Sequence, residues 1–450
     1  MADPDAVFLA YDIRGTVPDQ LDAGLCRAVG AAFARYVADA DGSDRMLVAR
    51  DMRDSGVELS AAFSEGVCEQ GLDVVDLGLA STDLTVFASG RLDAPAAMFT
   101  ASHNPAAYNG MKLSRAGGRP VGRDTGLADV KELAGQALAP ATRTGERAEA
   151  DLLAEFADHV HSFVDVSALR PLSIVADTAN GMGGLVVPAV FDGLPFEVEV
   201  MYPELDGTFP NHPADPIQPE NQRDLRARVL EVGADVGLAF DGDADRVFLV
   251  DDLAEPLSGS TTTAIVASEV LAREPGARII HNLICSRSVP EVIREGGGEP
   301  IRTRVGHSFI KQRMAETGAA FGGEHSGHYY FRDNYRADSG VIAALVILEK
   351  VCRSGLPLSE LRQPFERYAA SGELNTEVDD PAEVIERVAA AYADGEQDRL
   401  DGLTVDLGDW WFNLRPSNTE PLLSLNLEAP TDDECARRVA EVRSLMADDA

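Results

Sequence analysis

Short apolar runs alternate with longer amphipathic stretches through the first three-quarters of the chain. Met46–Ala49 has the length and content of a buried strand, the residues from Val57 to Gln70 repeat apolar positions at helical spacing, and Asp73–Leu77 is a strand again. This order is the grammar of α/β layers. It restarts twice: Leu172–Ala176 runs through Asp177 into a predicted helix near Gly181–Phe191, and Arg278–Ile280 runs through Asn282 into one near Ser288–Glu295. Each unit closes on a strand that ends in a polar loop. The three strands are Ala96–Phe99, Asp235–Phe240 and Ala319–Phe321. After Tyr368 the pattern changes to a helix (Val384–Tyr392), strands (Leu403–Leu407, Trp410–Leu414, Leu422–Leu427) and a last helix from Asp432 to about Met446. Trp410 and Trp411 read as sheet packing and not as a ligand platform.

The expected fold class is α/β, with three related α/β domains plus a smaller C-terminal α+β domain around a shared cleft. Polar residues Thr142–Glu149 suit the first junction, and Asp251–Pro256 suits a second junction or a hairpin turn. The expected domains are therefore 1–145, 146–252, 253–368 and 369–450.

Four loops carry candidate chemistry. In Thr100-Ala101-Ser102-His103-Asn104-Pro105 the serine stands just past a strand end, where open α/β sheets place ligands. Neighbours on extended backbone point apart, so Ser102 and His103 need not be nucleophile and base, and a polar turn competes. Asp241-Gly242-Asp243-Ala244-Asp245-Arg246 concentrates three carboxylates, which is costly unless a hard cation such as Mg²⁺ offsets them. A solvated acidic turn is the alternative; a calcium loop of the EF-hand kind fails, because the later glutamate and the flanking helices are missing. Gly322-Gly323-Glu324-His325-Ser326-Gly327-His328 offers close backbone approach with acceptors and donors suited to sugar hydroxyls; a helix-entry turn is the alternative. Arg415-Pro416-Ser417-Asn418-Thr419 offers an anion cradle or an ordinary loop. Gly181-Met182-Gly183-Gly184 lacks both a P-loop lysine and a complete GxGxxG, so it reads as a helix entry.

Composition narrows the partners. There are 75 acidic and 39 basic residues, a formal net charge of −36, and four lysines: Lys112, Lys131, Lys311 and Lys350. A broad basic face for nucleic acid is excluded. The acids spread through periodic segments, which fits a protein adapted to very salty cytoplasm, where the Debye length falls to about 3 Å. No apolar run reaches the roughly 18 residues of a membrane span. The acidic start Met1–Asp5 is unlike a signal peptide, and the five scattered cysteines suit reduced thiols in the cytoplasm.

Together the four loops resemble the α-D-phosphohexomutase superfamily, in its phosphomannomutase/phosphoglucomutase branch, over the whole chain and in the expected order. Tyr11-Asp12-Ile13-Arg14-Gly15, Asn109-Gly110-Met111-Lys112 and the helix entry Gly306-His307-Ser308-Phe309-Ile310-Lys311 resemble further family segments. The resemblance implies a phosphoserine at Ser102, with Mg²⁺ on Asp241, Asp243, Asp245 and a phosphoryl oxygen of Ser102. It implies hexose phosphate substrates and a hexose 1,6-bisphosphate that acts as intermediate and primer. Arg14, Lys112 and Arg246 are candidates for the local positive field, and Glu324 and Ser326 for the sugar 3- and 4-hydroxyls. Arg415, Ser417, Asn418 and Thr419 are expected on the substrate phosphate, and His307 and His328 as proton shuttles or phosphate contacts. His103 and Lys112 both stand as proton-transfer candidates. His159, His161, His212, His281 and His325 are expected to be structural or loop groups. Phosphomannomutase activity, with or without phosphoglucomutase activity, is the expected function; a phosphoglucosamine mutase, a phosphatase using Ser102 and a catalytically silent sugar-phosphate sensor are the alternatives. Oligomeric state is not legible.

Overall fold

The computed structural model describes residues 4–416 and 422–447. Within them the chain forms two compact units, Met1–Leu257 with Gly327–Leu361, and Ser258–Ser326 with Arg362–Ala450.

The first unit holds two sheets. One runs in the order Ile13–Thr16, Tyr108–Arg115, Ala96–Phe99, Arg45–Arg50, Asp73–Leu79 and Arg147–Glu149, with Arg119–Pro120 beside Tyr108–Arg115. Ala96–Phe99 is buried at every position because it pairs on both edges, parallel with Arg45–Arg50 and antiparallel with Tyr108–Arg115. Helices Ala23–Asp41 and Ser55–Glu69 bury their apolar faces in that core, the first capped by the Asp22 carboxylate. The polar stretch 142–149 is only partly a connection. Arg147–Glu149 adds a parallel strand beside Asp73–Leu79, and backbone pairing of this kind needs no apolar side chains.

The second sheet runs Val247–Val250, Val236–Phe240, Ser173–Asp177, Glu197–Met201. Val236–Phe240 is parallel to Ser173–Asp177 but antiparallel to Val247–Val250, so residues 241–246 are the tip of a hairpin whose arms are wholly buried. Residues 251–256 make a second tight turn: Asp251 N–H donates to the Glu255 carbonyl at 3.0 Å, and Val250 bridges Pro256. The stretch makes a hairpin turn, and it lies just before Leu257, where the leading segment of the first unit ends. Helix Gly340–Ser354 also belongs to this unit; apolar on almost every side, it is buried along nearly its whole length, each large side chain contributing about 1.5–3 kcal/mol.

The second unit holds the parallel strands Glu299–Thr303, Arg278–Asn282 and Phe321–Gly323. It also holds the antiparallel sheet Ala369–Glu377, Leu422–Ala429, Trp411–Pro416, Leu403–Asp406, Glu396–Asp398, covered by helices Pro381–Ala391 and Asp432–Met446. Trp410 packs in this core against Tyr392 and Phe412, as the packing reading expects.

Candidate active site

In the first unit, the buried strand Ala96–Phe99 delivers Thr100–Pro105 at its carboxyl end. Ser102 adopts φ 49°, a left-handed conformation that costs a non-glycine residue roughly 1–2 kcal/mol. Local bonds hold it there. The Ser102 N–H donates to Thr100 Oγ1 at 2.9 Å, the Asn104 N–H to the Ala101 carbonyl at 3.0 Å, and Arg14 Nη1 to the Ala101 carbonyl at 3.2 Å and to Asn104 Oδ1. The turn aims the Ser102 hydroxyl at the hairpin tip, where it donates to Asp241 Oδ2 at 2.8 Å. Gly242 permits the approach: a Cβ there would stand 2.4 Å from the Ser102 carbonyl oxygen.

The three loop carboxylates are buried, and one oxygen of each lies within 4.8 Å of the others. Asp241 accepts from the Arg246 N–H at 3.1 Å and from Arg246 Nε at 3.0 Å. Lys112 Nζ donates to Asp243 Oδ2 at 2.7 Å and to Asp245 Oδ2 at 2.8 Å, and the Thr82 hydroxyl also donates to Asp243 Oδ2. Asp243 Oδ1 and Asp245 Oδ1 are buried without a hydrogen-bond partner. Such orphaned oxygens in an all-oxygen donor set fit a hard divalent cation.

Burial raises the Asp241 carboxyl well above the usual range, Arg246 opposing and Asp245 and Asp243 adding to the rise. Burial acts the same way on Asp243, but Lys112 and Thr82 outweigh it and hold that carboxyl low. Lys112 is in turn kept charged: burial disfavours the ammonium, and Asp243 and Asp245 reverse that. His103 is pushed down to about 2 by burial and then by the Arg246 and Arg14 charges. Its Nδ1 accepts from Arg246 Nη2 at 2.7 Å, so the ring is neutral. His328 Nε2 lies 3.9 Å from both Asp245 Oδ1 and Asp338 Oδ2.

Structure thus brings Ser102, His103, Arg14, Lys112, Asp241, Asp243, Asp245, Arg246 and His328 into one cluster of the first unit. It adds residues that sequence reasoning passed over. Thr82 clasps Asp243 twice, since its N–H also donates to the Asp243 carbonyl at 3.1 Å. Asp83 accepts from Ser81 and, at 2.7 Å, from Ser339, which caps Gly340–Ser354; burial pushes its carboxyl up to about 7. The available signal was Ser81, whose side chain caps helix Thr82–Leu92, but a cap alone does not reveal a contact 161 positions away. Gly181-Met182 also supports the site, Met182 N–H donating to the Gly242 carbonyl at 2.9 Å.

In the second unit, strand Phe321–Gly323 leads into Glu324, which is 2% exposed. Its Oε1 accepts from Asn282 Nδ2 at 3.2 Å and from the Gly306 N–H at 3.1 Å, which ties the sugar-loop candidate to the entry of helix His307–Thr317. Ser326 is half-buried. His325 Nδ1 pairs with Ser260 Oγ at 3.0 Å. Arg415 is the last residue but one of strand Trp411–Pro416 and donates through Nη2 to Glu373 Oε2 at 3.1 Å. Ser417, Asn418 and Thr419 lie outside the described residues. The remaining histidines have structural partners: His159 pairs with Asn334 at 3.0 Å, His161 with the Val190 carbonyl at 2.6 Å, His212 with Asp177 at 3.0 Å and His281 with the Asn282 carbonyl at 3.0 Å.

Comparison with known proteins covers nearly the whole chain. Residues 5–136, 154–254 and 258–368 match phosphoglucomutase/phosphomannomutase alpha/beta/alpha domains I, II and III, and 373–445 match the C-terminal domain of that family. A protein of Xanthomonas campestris pv. campestris described as phosphohexose mutases is 39% identical over 446 residues, 98% of either chain. A phosphomannomutase of Salmonella typhimurium is 38% identical over 452 residues, again 98% of either chain. The crystal structure of a phosphoglucomutase/phosphomannomutase family protein from Burkholderia thailandensis superimposes with a TM-score of 0.90 at 33% identity, covering 99% of this chain and 98% of that one.

Proposed function

The chain belongs to the phosphoglucomutase/phosphomannomutase family, and on that premise we propose that it moves phosphate between C6 and C1 of a hexose, with mannose phosphate as its foremost substrate and Ser102 as the carrier. One observation carries this reading: the Ser102 hydroxyl, on a left-handed turn, meets Asp241 at 2.8 Å within a cluster of three buried carboxylates.

Asp241, Asp243 and Asp245, with an oxygen of the group carried on Ser102, would hold Mg²⁺, which supplies charge neutralisation to a transferring phosphoryl group. In the first transfer the free sugar hydroxyl forms a bond to phosphorus as the P–Oγ bond of Ser102 breaks. The hydroxyl proton passes to an imidazole among His103, His307 and His328, Lys112 being held as an ammonium by Asp243 and Asp245 and so not free to take it, and a hexose 1,6-bisphosphate results. The departing Ser102 oxygen takes up a proton, and the sugar turns end for end. The Ser102 hydroxyl then attacks the other phosphate. As the new P–Oγ bond forms, the bond from that phosphorus to the sugar oxygen breaks; the serine proton is given up and the sugar oxygen takes one, leaving the isomeric hexose monophosphate. Charge spreads over the equatorial oxygens during each transfer, where Arg14, Lys112 and Arg246 supply fixed positive charge. Glu324, anchored by two donors, and Ser326 hold the 3- and 4-hydroxyls, which nearly superimpose in the two sugar orientations. Arg415, with Ser417, Asn418 and Thr419, holds the phosphate that is not reacting.

The five unpaired cysteines, all buried, suit a reducing cytoplasm, and the −36 charge suits a salt-rich one. Among the described residues no helix is long and apolar enough to cross a membrane.

The test sets mannose 1-phosphate, glucose 1-phosphate and glucosamine 1-phosphate side by side at high salt with Mg²⁺ and a hexose 1,6-bisphosphate primer. Mannose 1-phosphate is expected to show the highest kcat/KM; turnover of glucosamine 1-phosphate alone overturns the substrate assignment. Inorganic phosphate released as fast as substrate disappears identifies a phosphatase instead. Ser102→Ala is expected to lose about a thousandfold or more in kcat with the fold intact. Intact mass is expected to place one phosphate on the Ser102 peptide of the native protein.

A further inference from the structure

Arg53 stands three residues beyond strand Arg45–Arg50 and is 1% exposed. Its guanidinium spends all five N–H donors. Nη2 donates to the Ser102 carbonyl at 2.9 Å and the Asn104 carbonyl at 2.7 Å; Nη1 donates to the Pro105 carbonyl at 2.9 Å and the Tyr108 carbonyl at 3.0 Å. Nε donates to Asp51 Oδ2 at 3.3 Å, and Asp51 Oδ1 accepts the Arg53 N–H at 2.9 Å. The Phe209 ring covers the guanidinium at 5.1 Å. With every donor used on the loop backbone, none remains for a substrate phosphate.

We propose that Arg53 is the positioning residue of the phosphoserine loop: by gathering the carbonyls of residues 102, 104, 105 and 108 onto one planar cation, it holds the Ser102 hydroxyl in line for transfer. The inference rests on Ser102 being the phosphate carrier. Its physical need is plain. Four carbonyl dipoles converging on one buried point repel each other, and Ser102 sits at φ 49°, so the loop relaxes unless a cation of matching shape draws the oxygens together. A lysine cannot replace it. An ammonium has three donors at a single point, against five on a rigid fork that here reaches across seven residues of chain.

The test compares Arg53→Lys with the double variant Asp51→Asn/Arg53→Gln, which leaves no buried charge unpaired and so protects the fold. The readouts are kcat and KM, phosphate uptake on Ser102 from glucose 1,6-bisphosphate by intact mass, and amide exchange. A displacement of about 1 Å at the reacting group is expected to lower kcat about 100-fold in both variants, with KM within about threefold of native. Exchange is expected to rise at residues 102–108 while the sheet around Ala96–Phe99 stays protected, and millimolar guanidinium is expected to restore part of the activity of the double variant. Native kcat in the double variant, or a loss of kcat with exchange rising through the whole unit and no rescue, overturns the inference. If the active native protein takes no phosphate on Ser102, the phosphoserine reading itself falls and this inference with it. If native and variant proteins are phosphorylated alike and turn over alike, only this inference falls.

Discussion

Gly242→Ala isolates the contact between the metal-loop hairpin and the serine turn. A Cβ at this position lies 2.4 Å from the Ser102 carbonyl oxygen and 3.6 Å from Ala214 Cβ, whereas ordinary contact begins near 3.4 Å. The carbonyl is backbone and is pinned by Arg53 at 2.9 Å, so it cannot swing aside as a flexible side chain would. The two loops must separate by about 1 Å, and the 2.8 Å bond from Ser102 Oγ to Asp241 breaks. Misplacement on that scale lowers kcat about 100-fold, and overpacking costs about 1–3 kcal/mol of stability. KM, set by sugar and phosphate contacts, is expected to change much less. Gly135→Ala is the control, because its nearest neighbour lies at 3.5 Å and the residue closes an exposed helix end. The assay is kcat and KM with a bisphosphate primer, beside a denaturation midpoint for each protein. A Gly242→Ala enzyme that folds and keeps kcat within threefold of the control would refute the claim that this close approach sets the geometry of transfer.

Lys112→Met removes the charge shared by two buried carboxylates, which is expected to destabilise the metal-free protein by about 3–5 kcal/mol. Mg²⁺ should then raise the Tm of the variant more than that of the native chain; an equal shift in EDTA-to-Mg²⁺ comparisons would argue against a cation at the same carboxylates. His281 is held neutral, its pKa pushed down to about 4, chiefly by burial. An unfolded histidine takes up a proton near pH 6.5, so the folded state is favoured fully above that pH and loses ground as pH falls toward 4. Between pH 7.5 and 5 the loss is on the order of 2 kcal/mol, and His281→Gln should remove that part of the acid limb in urea titrations. Activity and folding are expected to fall sharply below about 1 M salt, as the screening of the −36 charge weakens; full stability in dilute buffer would dismiss salt adaptation.

Much of the fold was legible because its signals are local. The strands at 45–50, 96–99, 173–177 and 236–240 follow apolar runs, and their order along the chain announces α/β layers. Arg147–Glu149 escaped because an exposed edge strand is held by backbone bonds and leaves no apolar trace. In the site, Ser102 and the three aspartates stood out as loop chemistry at strand ends. Thr82 and Arg53 did not, since a threonine in a helix's first turn and an arginine after a strand look like ordinary boundary residues.

The amino-acid sequence by itself determined the inventory: which residues close each strand, that three carboxylates share one short loop, and that the chain carries the motifs of a phosphohexomutase. Tertiary structure decided the pairings. Only folding brings Ser102 to Asp241 across 139 positions and Lys112 between Asp243 and Asp245, and only folding buries these groups deeply enough for neighbours to set their charge. Hydrophobic periodicity reports the environment of one segment at a time, whereas a hydrogen bond or a shifted pKa depends on what distant segments bring to the same low-dielectric point.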